Sequence, residues 1–253
     1  MRQFLENAPA HSIGDFEPAM LFSAPAPPEC LRELVTFSTE EYPAGVQLFR
    51  QGSRPDTVYF ISDGLLKLAR VDCEGNEAIV CVRGVGWLLG AATVILEQSH
   101  ATTAHTLTTC TLHRIAARVF RAYLMTKPSF SLYVHQMQSH EIRESVVKLS
   151  ALMLHSARQR LIDLLLQLSR SMKSAPSKSS GACPLNIPLK QWELAQLLSI
   201  SPEHINRLLR GLEQEGLVHR RKRSLVICDS HKMLSYACQR RYDSPRDLSR
   251  PVV

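Results

Sequence analysis

Three features of the chain point to an α+β protein built from two unlike halves. Beyond Phe37, short runs rich in Val, Ile, Leu and Thr are separated by Gly45, Gly52, Gly64, Gly75, Gly84, Gly86 and Gly90, a spacing that suits many short strands joined by tight turns. After Lys127-Pro128 a helical pattern runs long, and from Leu189 to Leu217 two short helices flank a tight turn. The expected architecture is a double-stranded, jelly-roll-like β-roll over residues 29–125, a long helix over 126–156 and a winged helix-turn-helix over 157–230. An extension at 1–28 and a tail at 231–253 frame it.

In chain order, the polar lead ends in Ala24-Pro25-Ala26-Pro27-Pro28, which favours extended backbone, and a short helix is expected from Cys30 to Phe37. Asp63-Gly64 and Glu74-Gly75-Asn76 carry turn chemistry between strands. A helical pattern returns near Arg118. In the long helix that follows, Ile142, Val146, Leu149 and Met153 recur at steps of 4, 3 and 4, a heptad seam suited to a parallel homodimer. Arg158 to Leu168 is a very apolar helix, and the Ser-, Lys- and Pro-rich segment Ser171 to Gly181 is expected to be a mobile loop.

The two short helices are the most informative stretch. Leu194, Ala195, Leu197 and Leu198 give the first an apolar face, and Ile200 plugs the turn. Ser201 at the N-cap, Pro202 at the first helical position and Glu203 in the first turn are three separate start signals for the second. Ile205, Leu208, Leu209 and Leu212 bury one side of it and leave Glu203, Asn206, Arg207 and Arg210 on the other. Arg can grip the O6 and N7 of guanine, and Glu can accept from the N4 amine of cytosine, so this face suits a DNA major groove. Glu and Arg four residues apart are also common on ordinary solvated helices. The context decides for DNA: Gly216-Leu217-Val218, the basic run His219 to Arg223 and Ser224 to Ile227 make a basic hairpin suited to phosphates. The expected contact set is Ser201, Glu203, His204, Asn206, Arg207 and Arg210, with Arg221 and Lys222 from the hairpin.

Charge agrees with that division. Residues 1–150 hold 13 Lys/Arg against 15 Asp/Glu, a balance of −2, whereas residues 151–253 hold 17 against 8, a balance of +9. Positive charge segregated onto the presumed reading half is what counterion release from a polyanion requires.

Residues 189 to 227 resemble the DNA-binding domain of the Crp/Fnr family of bacterial transcription regulators, in which a Glu is typically followed four residues later by an Arg, as Glu203 and Arg207 are here. Pro202 departs from the pattern, standing where cyclic-AMP-responsive members carry a base-contacting Arg, and so does Asn206, where members vary between Gly and Ser. Gly52 to Val82 is similar to the family's cyclic-nucleotide-binding-like β-roll. Gly86 to Gly90 resembles the entry of its phosphate-binding cassette and Thr103 to Thr108 the strand leaving it, so the resemblance covers roughly residues 30 to 228. It implies a sensor domain, a homodimer on an inverted-repeat operator, contact with RNA polymerase and a small-molecule effector bound near Gly90, Ala91, His100, Ala101 and Thr102.

That cassette parts from the nucleotide binders. Ala91 stands in place of the Glu that holds the ribose, and His100-Ala101 in place of the Arg-Ser or Arg-Thr pair that neutralises the cyclic phosphate. Cyclic AMP is therefore not expected as the effector. An iron–sulfur cluster is not expected either, since Cys30 alone represents the N-terminal cysteine cluster. A haem stays open, because His100, His105, His113 and His135 lie in or near the sensor region. Seven cysteines without a C-x-x-C pair suggest neither a disulfide framework nor a zinc site. The sequence lacks a P-loop, H-E-x-x-H or G-x-S-x-G, so an enzyme is not expected. The absence of a signal-peptide pattern or a bilayer-length apolar run makes a cytoplasmic protein with no membrane partner the expectation. The competing class is a ligand-binding or protein-interaction module with a vestigial helix-turn-helix.

Overall fold

The structure is a computed structural model that describes residues 24, 26–31, 39–171, 183–185, 189–221, 224–228, 232, 233, 235 and 236. Most of the expected extension, the segment 172–181, Lys222 and most of the tail lie outside the described residues, as does the expected Cys30–Phe37 helix beyond its helical start at residues 29–31.

Eight strands form the N-terminal roll: β1 (Thr39–Tyr42), β2 (Gln47–Phe49), β3 (Thr57–Asp63), β4 (Leu66–Val71), β5 (Glu77–Arg83), β6 (Leu88–Leu89), β7 (Thr103–Thr106) and β8 (Cys110–Ala116), with the short helix α1 (Ala91–Leu96) between β6 and β7. They pair antiparallel in two four-stranded sheets, ordered β1-β8-β3-β6 and β2-β7-β4-β5. Strand β8 is covered on both faces: Cys110 and Leu112 are buried on one, His113 and Ile115 on the other, and Arg114 is exposed. The β3–β4 turn needs glycine: Gly64 has φ +93°, and a Cβ there would lie 2.6 Å from both the Cys110 sulfur and the Thr109 carbonyl oxygen. In the β4–β5 ladder Leu68 faces Cys81 and Ala69 faces Ile79, so Val80 is an extra residue, a β-bulge.

Two helices cover the roll, α2 (Ala117–Thr126) and α3 (Pro128–Leu154). Lys127, extended at φ −122° and ψ 94°, separates them, and Pro128 opens α3 because a first-turn residue needs no N–H. Phe130 of α3 meets Phe120 of α2 edge to face at 5.5 Å, next to a core containing Val58, Ile61, Leu66, Leu112 and Ile115. Further along α3, Glu144 takes the guanidinium of Arg83 at 2.8 Å and Glu141 takes it at 3.1 Å, while Arg83 lies 3.9 Å over the Trp87 ring. The Lys148 ammonium donates at 2.7 Å to the carbonyl of the bulged Val80. The opposite side of α3 bears Ile142, Val146, Leu149 and Met153, each more than half exposed.

His155, extended at φ −106° and ψ 142°, ends α3, and α4 (Ala157–Ser171) begins afresh. Ser156 and Gln159 cap that start reciprocally: the Ser156 N–H donates to Gln159 Oε1 at 2.9 Å, and the Gln159 N–H to Ser156 Oγ at 3.3 Å. Helix α4 runs to Ser171, so the first residue of the expected mobile loop is helical.

The remaining elements are β9 (Cys183–Leu185), α5 (Gln191–Leu198), α6 (Pro202–Gln214), β10 (Val218–Arg221) and β11 (Ser224–Ile227). Strand β9, for which the sequence raises no expectation, pairs with β11 to make a three-stranded sheet ordered β10-β11-β9. Pro184 is tolerated because β9 lies at the edge. Leu161, Leu165, Leu194, Ile205, Leu209 and Ile227 form the core of this half, and Ile79 and Val82 of β5 belong to the same apolar cluster. Among the described residues, no helix is long and apolar enough to cross a membrane.

Candidate nucleic-acid interface and sensor site

The turn between α5 and α6 is made by Ser199, in the left-handed region at φ 54° and ψ 50°, and by Ile200, whose N–H returns to the Ala195 carbonyl at 3.0 Å. Ser201 then caps α6, its hydroxyl oxygen accepting the His204 N–H at 3.2 Å. Hydrogen bonds from its own backbone N–H and from the Ser201 hydroxyl hold the Glu203 carboxyl below the usual carboxylate range, so it is an acceptor at neutral pH. Ile205, Leu209 and Leu212 are buried, which fixes the rotation of the helix and turns Glu203, Arg207 and Arg210 to solvent.

Glu203, Asn206, Arg207, Arg210, Gly211 and Gln214 line one open depression, so the structure brings together the four residues expected on the face. Neither Arg207 nor Arg210 is paired among the described residues. Asn206 is half-buried and donates to the Pro202 carbonyl at 3.0 Å, which turns its amide partly back onto the helix. Ser201 acts as the cap, and His204 is half-buried outside that depression. Two donors of guanidinium type beside a charged acceptor, on a convex helix, match the edge pattern of a G·C step.

The basic hairpin divides by role. Arg220, which the sequence groups with the phosphate-facing run, is held by Glu213 of α6: Nε at 3.0 Å and Nη2 at 2.9 Å from Oε2, with its backbone N–H 3.1 Å from Oε1. Arg221 ends β10, opposite Ser224; its side chain and Lys222 lie outside the described residues. Arg158 of α4 reaches Glu215, just past α6, at 2.5 Å. Sequence reasoning missed both pairs. An acid, Glu213, seven residues ahead of Arg220 was the available signal for the first.

In the roll, Gly90 adopts φ +84°, and a Cβ there would lie 3.2 Å from His100 Cε1 and 3.1 Å from the Thr57 carbonyl oxygen. The His100 ring stacks on Phe49 with centroids 3.9 Å apart and planes 13° apart, and its Nδ1 lies 3.3 Å from Thr93 Oγ1. Gly90, buried Ala91 and His100 are thus brought together, Thr102 is half-buried nearby in sequence and Ala101 is exposed. His100 is packed into the roll, where it fills space and offers an anion no second charged contact. The four histidines do not share a site. His113 sits between Thr39 and Ser62 with both ring nitrogens engaged, His135 bonds the Ser131 carbonyl, and His105 pairs across strands with Gln47 and Lys67.

Residues 39–127 match the family model of the cyclic nucleotide-binding domain and residues 159–236 that of the Crp-like helix-turn-helix domain. The chain belongs to the Crp/Fnr family. Like other Crp/Fnr proteins it is a DNA-binding transcription regulator. It is 27% identical over 198 residues to the cyclic AMP receptor protein of Thermus thermophilus, across 78% of this chain and 87% of that one. It is 22% identical over 188 residues to the cAMP-activated global transcriptional regulator CRP of Haemophilus influenzae, across 74% and 82% of the two chains. Among solved structures, a CRP/FNR-family transcriptional regulator from Thermus thermophilus superposes with a TM-score of 0.68 at 21% identity, over 80% of this chain and 99% of that one. The c-di-GMP-responsive global regulator CLP of Xanthomonas campestris superposes with a TM-score of 0.64 at 21% identity, over 78% and 97%.

Burial lowers the pKa of His100, and it lowers that of His105 with help from Lys67. In the unfolded chain each titrates near about 6.5. A group depressed in the folded state contributes stability that is full above the unfolded pKa and is lost as pH falls. The melting temperature should therefore drop between about pH 7.5 and 5.5, and His100→Phe, which keeps a ring against Phe49, should make that drop smaller. An identical pH slope in the variant would contradict the assignment.

Proposed function

We propose that this regulator acts as a cytoplasmic homodimer whose two α6 helices read successive major grooves of an inverted-repeat operator. The observation that carries the reading is the α6 face: Glu203, Arg207 and Arg210 exposed, both guanidinium groups uncommitted among the described residues, on a helix whose other side is locked into a core. Two-fold symmetry then places half-site centres about one helical turn apart, roughly 34 Å. Arg207 reads a G·C pair and Glu203 a neighbouring C, while Ser201, His204, Asn206, Arg210 and the hairpin residues Arg221 and Lys222 complete the contact set. RNA polymerase is the protein partner that the family implies. No catalytic role is assigned to the chain.

A binding selection on randomised duplexes, at one fixed salt concentration, tests the groove assignment. Arg207→Ala should cost about 1–3 kcal/mol per half-site and relax the preference at one base pair, because it removes a bidentate contact. An unchanged selected motif would refute it.

The dimer rests on the stripe Ile142, Val146, Leu149 and Met153, which is 66, 58, 57 and 77% exposed on a helix whose opposite side packs on its own roll. A second copy of α3 covers such a stripe. Leu149→Glu sets like charges against each other in that seam and should give monomers in sedimentation at micromolar protein. Persistence of the dimer would place the interface elsewhere.

The effector is a small molecule other than cyclic AMP. Ala91 and the packed His100 supply neither the ribose acceptor nor the phosphate cation, and micromolar affinity requires about 8 kcal/mol. Titration calorimetry with cyclic AMP should show no saturable heat at micromolar nucleotide; a sub-micromolar isotherm would reverse this reading.

A further inference from the structure

The roll and the reading half meet through a polar contact set inside an apolar one. On the face of β4 and β5 that carries Ile79 and Val82, the Lys67 ammonium lies 2.7 Å from Glu193 Oε1 in α5 and 3.6 Å from Glu77 Oε1, and sits 4.8 Å over the ring of Trp192. The side chains of Lys67 and Glu193 are 12 and 6% exposed. Ile79 and Val82, each 2% exposed, are packed into the same cluster as the helix-turn-helix core. Glu193 serves two elements at once, since its other oxygen accepts the Lys190 N–H at 2.8 Å and so caps α5.

The contact engages α5 and leaves the α6 face open, with Glu203, Arg207 and Arg210 exposed. It orients the head without covering the reading surface. A buried ion pair adds little net stability, but it penalises every arrangement in which one charge loses its partner, and so selects one orientation. A symmetric dimer reading two fixed half-sites needs that selection, because a head free to swing loses the freedom on binding.

We propose that Lys67 and Glu193 form the contact by which the roll sets the orientation of the reading head, making Glu193 a positioning residue for operator recognition although it touches no base. The inference rests on α6 being the reader. It is tested in the full chain with Lys67→Met, which keeps the length and removes the charge, with Glu193→Gln, which keeps an acceptor for the α5 cap, and with the double variant. Each single change should lower operator affinity relative to non-specific DNA on the order of tenfold, and the double variant should lose no more than either single, since one contact is broken in all three. Without DNA, acrylamide quenching should rise in every variant. That signal belongs to Trp192, 39% exposed in the contact, because the other tryptophan, Trp87, is 2% exposed. An unchanged specificity ratio, additive losses in the double variant, or a gain in operator affinity would each overturn the proposal. Failure of α6 as reader shows as an unchanged motif in Arg207→Ala, whereas failure of the contact shows as unchanged quenching in Lys67→Met.

Discussion

The bulge at Val80 governs how three bodies meet along β5. With strict alternation, Ile79 and Val82 would point to opposite faces of the sheet. The extra residue puts both on the side of Lys67 and Ala69, against the helix-turn-helix core, while Cys81 and Arg83 pair with Leu68 and Leu66 on the other side. Arg83 then reaches Glu141 and Glu144 of α3, and the bulge's own carbonyl is taken by Lys148. A single strand at the sheet edge thus addresses the long helix from one face and the reading head from the other. The contact with α3 rests on the buried charge of Arg83 between Glu141 and Glu144, whereas the contact with the head sets the single Lys67–Glu193 pair within the aliphatic surface of Ile79 and Val82, so that there the direction comes from one ion pair and the area from apolar burial.

Much of this was legible in the residues because the signals were local. Ser201, Pro202 and Glu203 announce a helix start by chemistry that acts within one turn, and the structure places that start where they do. The glycine-punctuated strands and the proline at Pro128 were readable for the same reason. What escaped depended on tertiary pairing. The ties between Glu213 and Arg220 and between Arg158 and Glu215 join elements whose approach is set by packing, and β9 contains a proline that argues against a strand unless its place at the edge is already known. A bulge leaves no mark in a run such as Glu77 to Arg83, since the pattern of apolar residues is compatible with either register.

The candidate effector region shows how the packing of one side chain changes what a ligand would meet there. Sequence comparison located His100 where nucleotide binders place a cation, but its stacking on Phe49 could not be read from position alone. An imidazole held flat against a phenyl ring and bonded through Thr93 is part of the roll's packing. A ligand reaching Gly90 from that side meets a ring edge, a different surface from a guanidinium.

The joint at His155 and Ser156 bears on how the head can be re-aimed. Because α4 starts with its own reciprocal cap, no hydrogen-bond ladder passes from α3 into α4, and Arg160 bridges the gap by bonding the carbonyls of Leu152 and His155 on one side and of Leu198 on the other. A continuous helix transmits torsion as a shaft does, and bends sharply only where a proline, a bulge or an inserted group interrupts its ladder. Two rods joined by a guanidinium behave as a hinge with a clasp, so the resistance to turning the head lies in side chains that can let go and re-form.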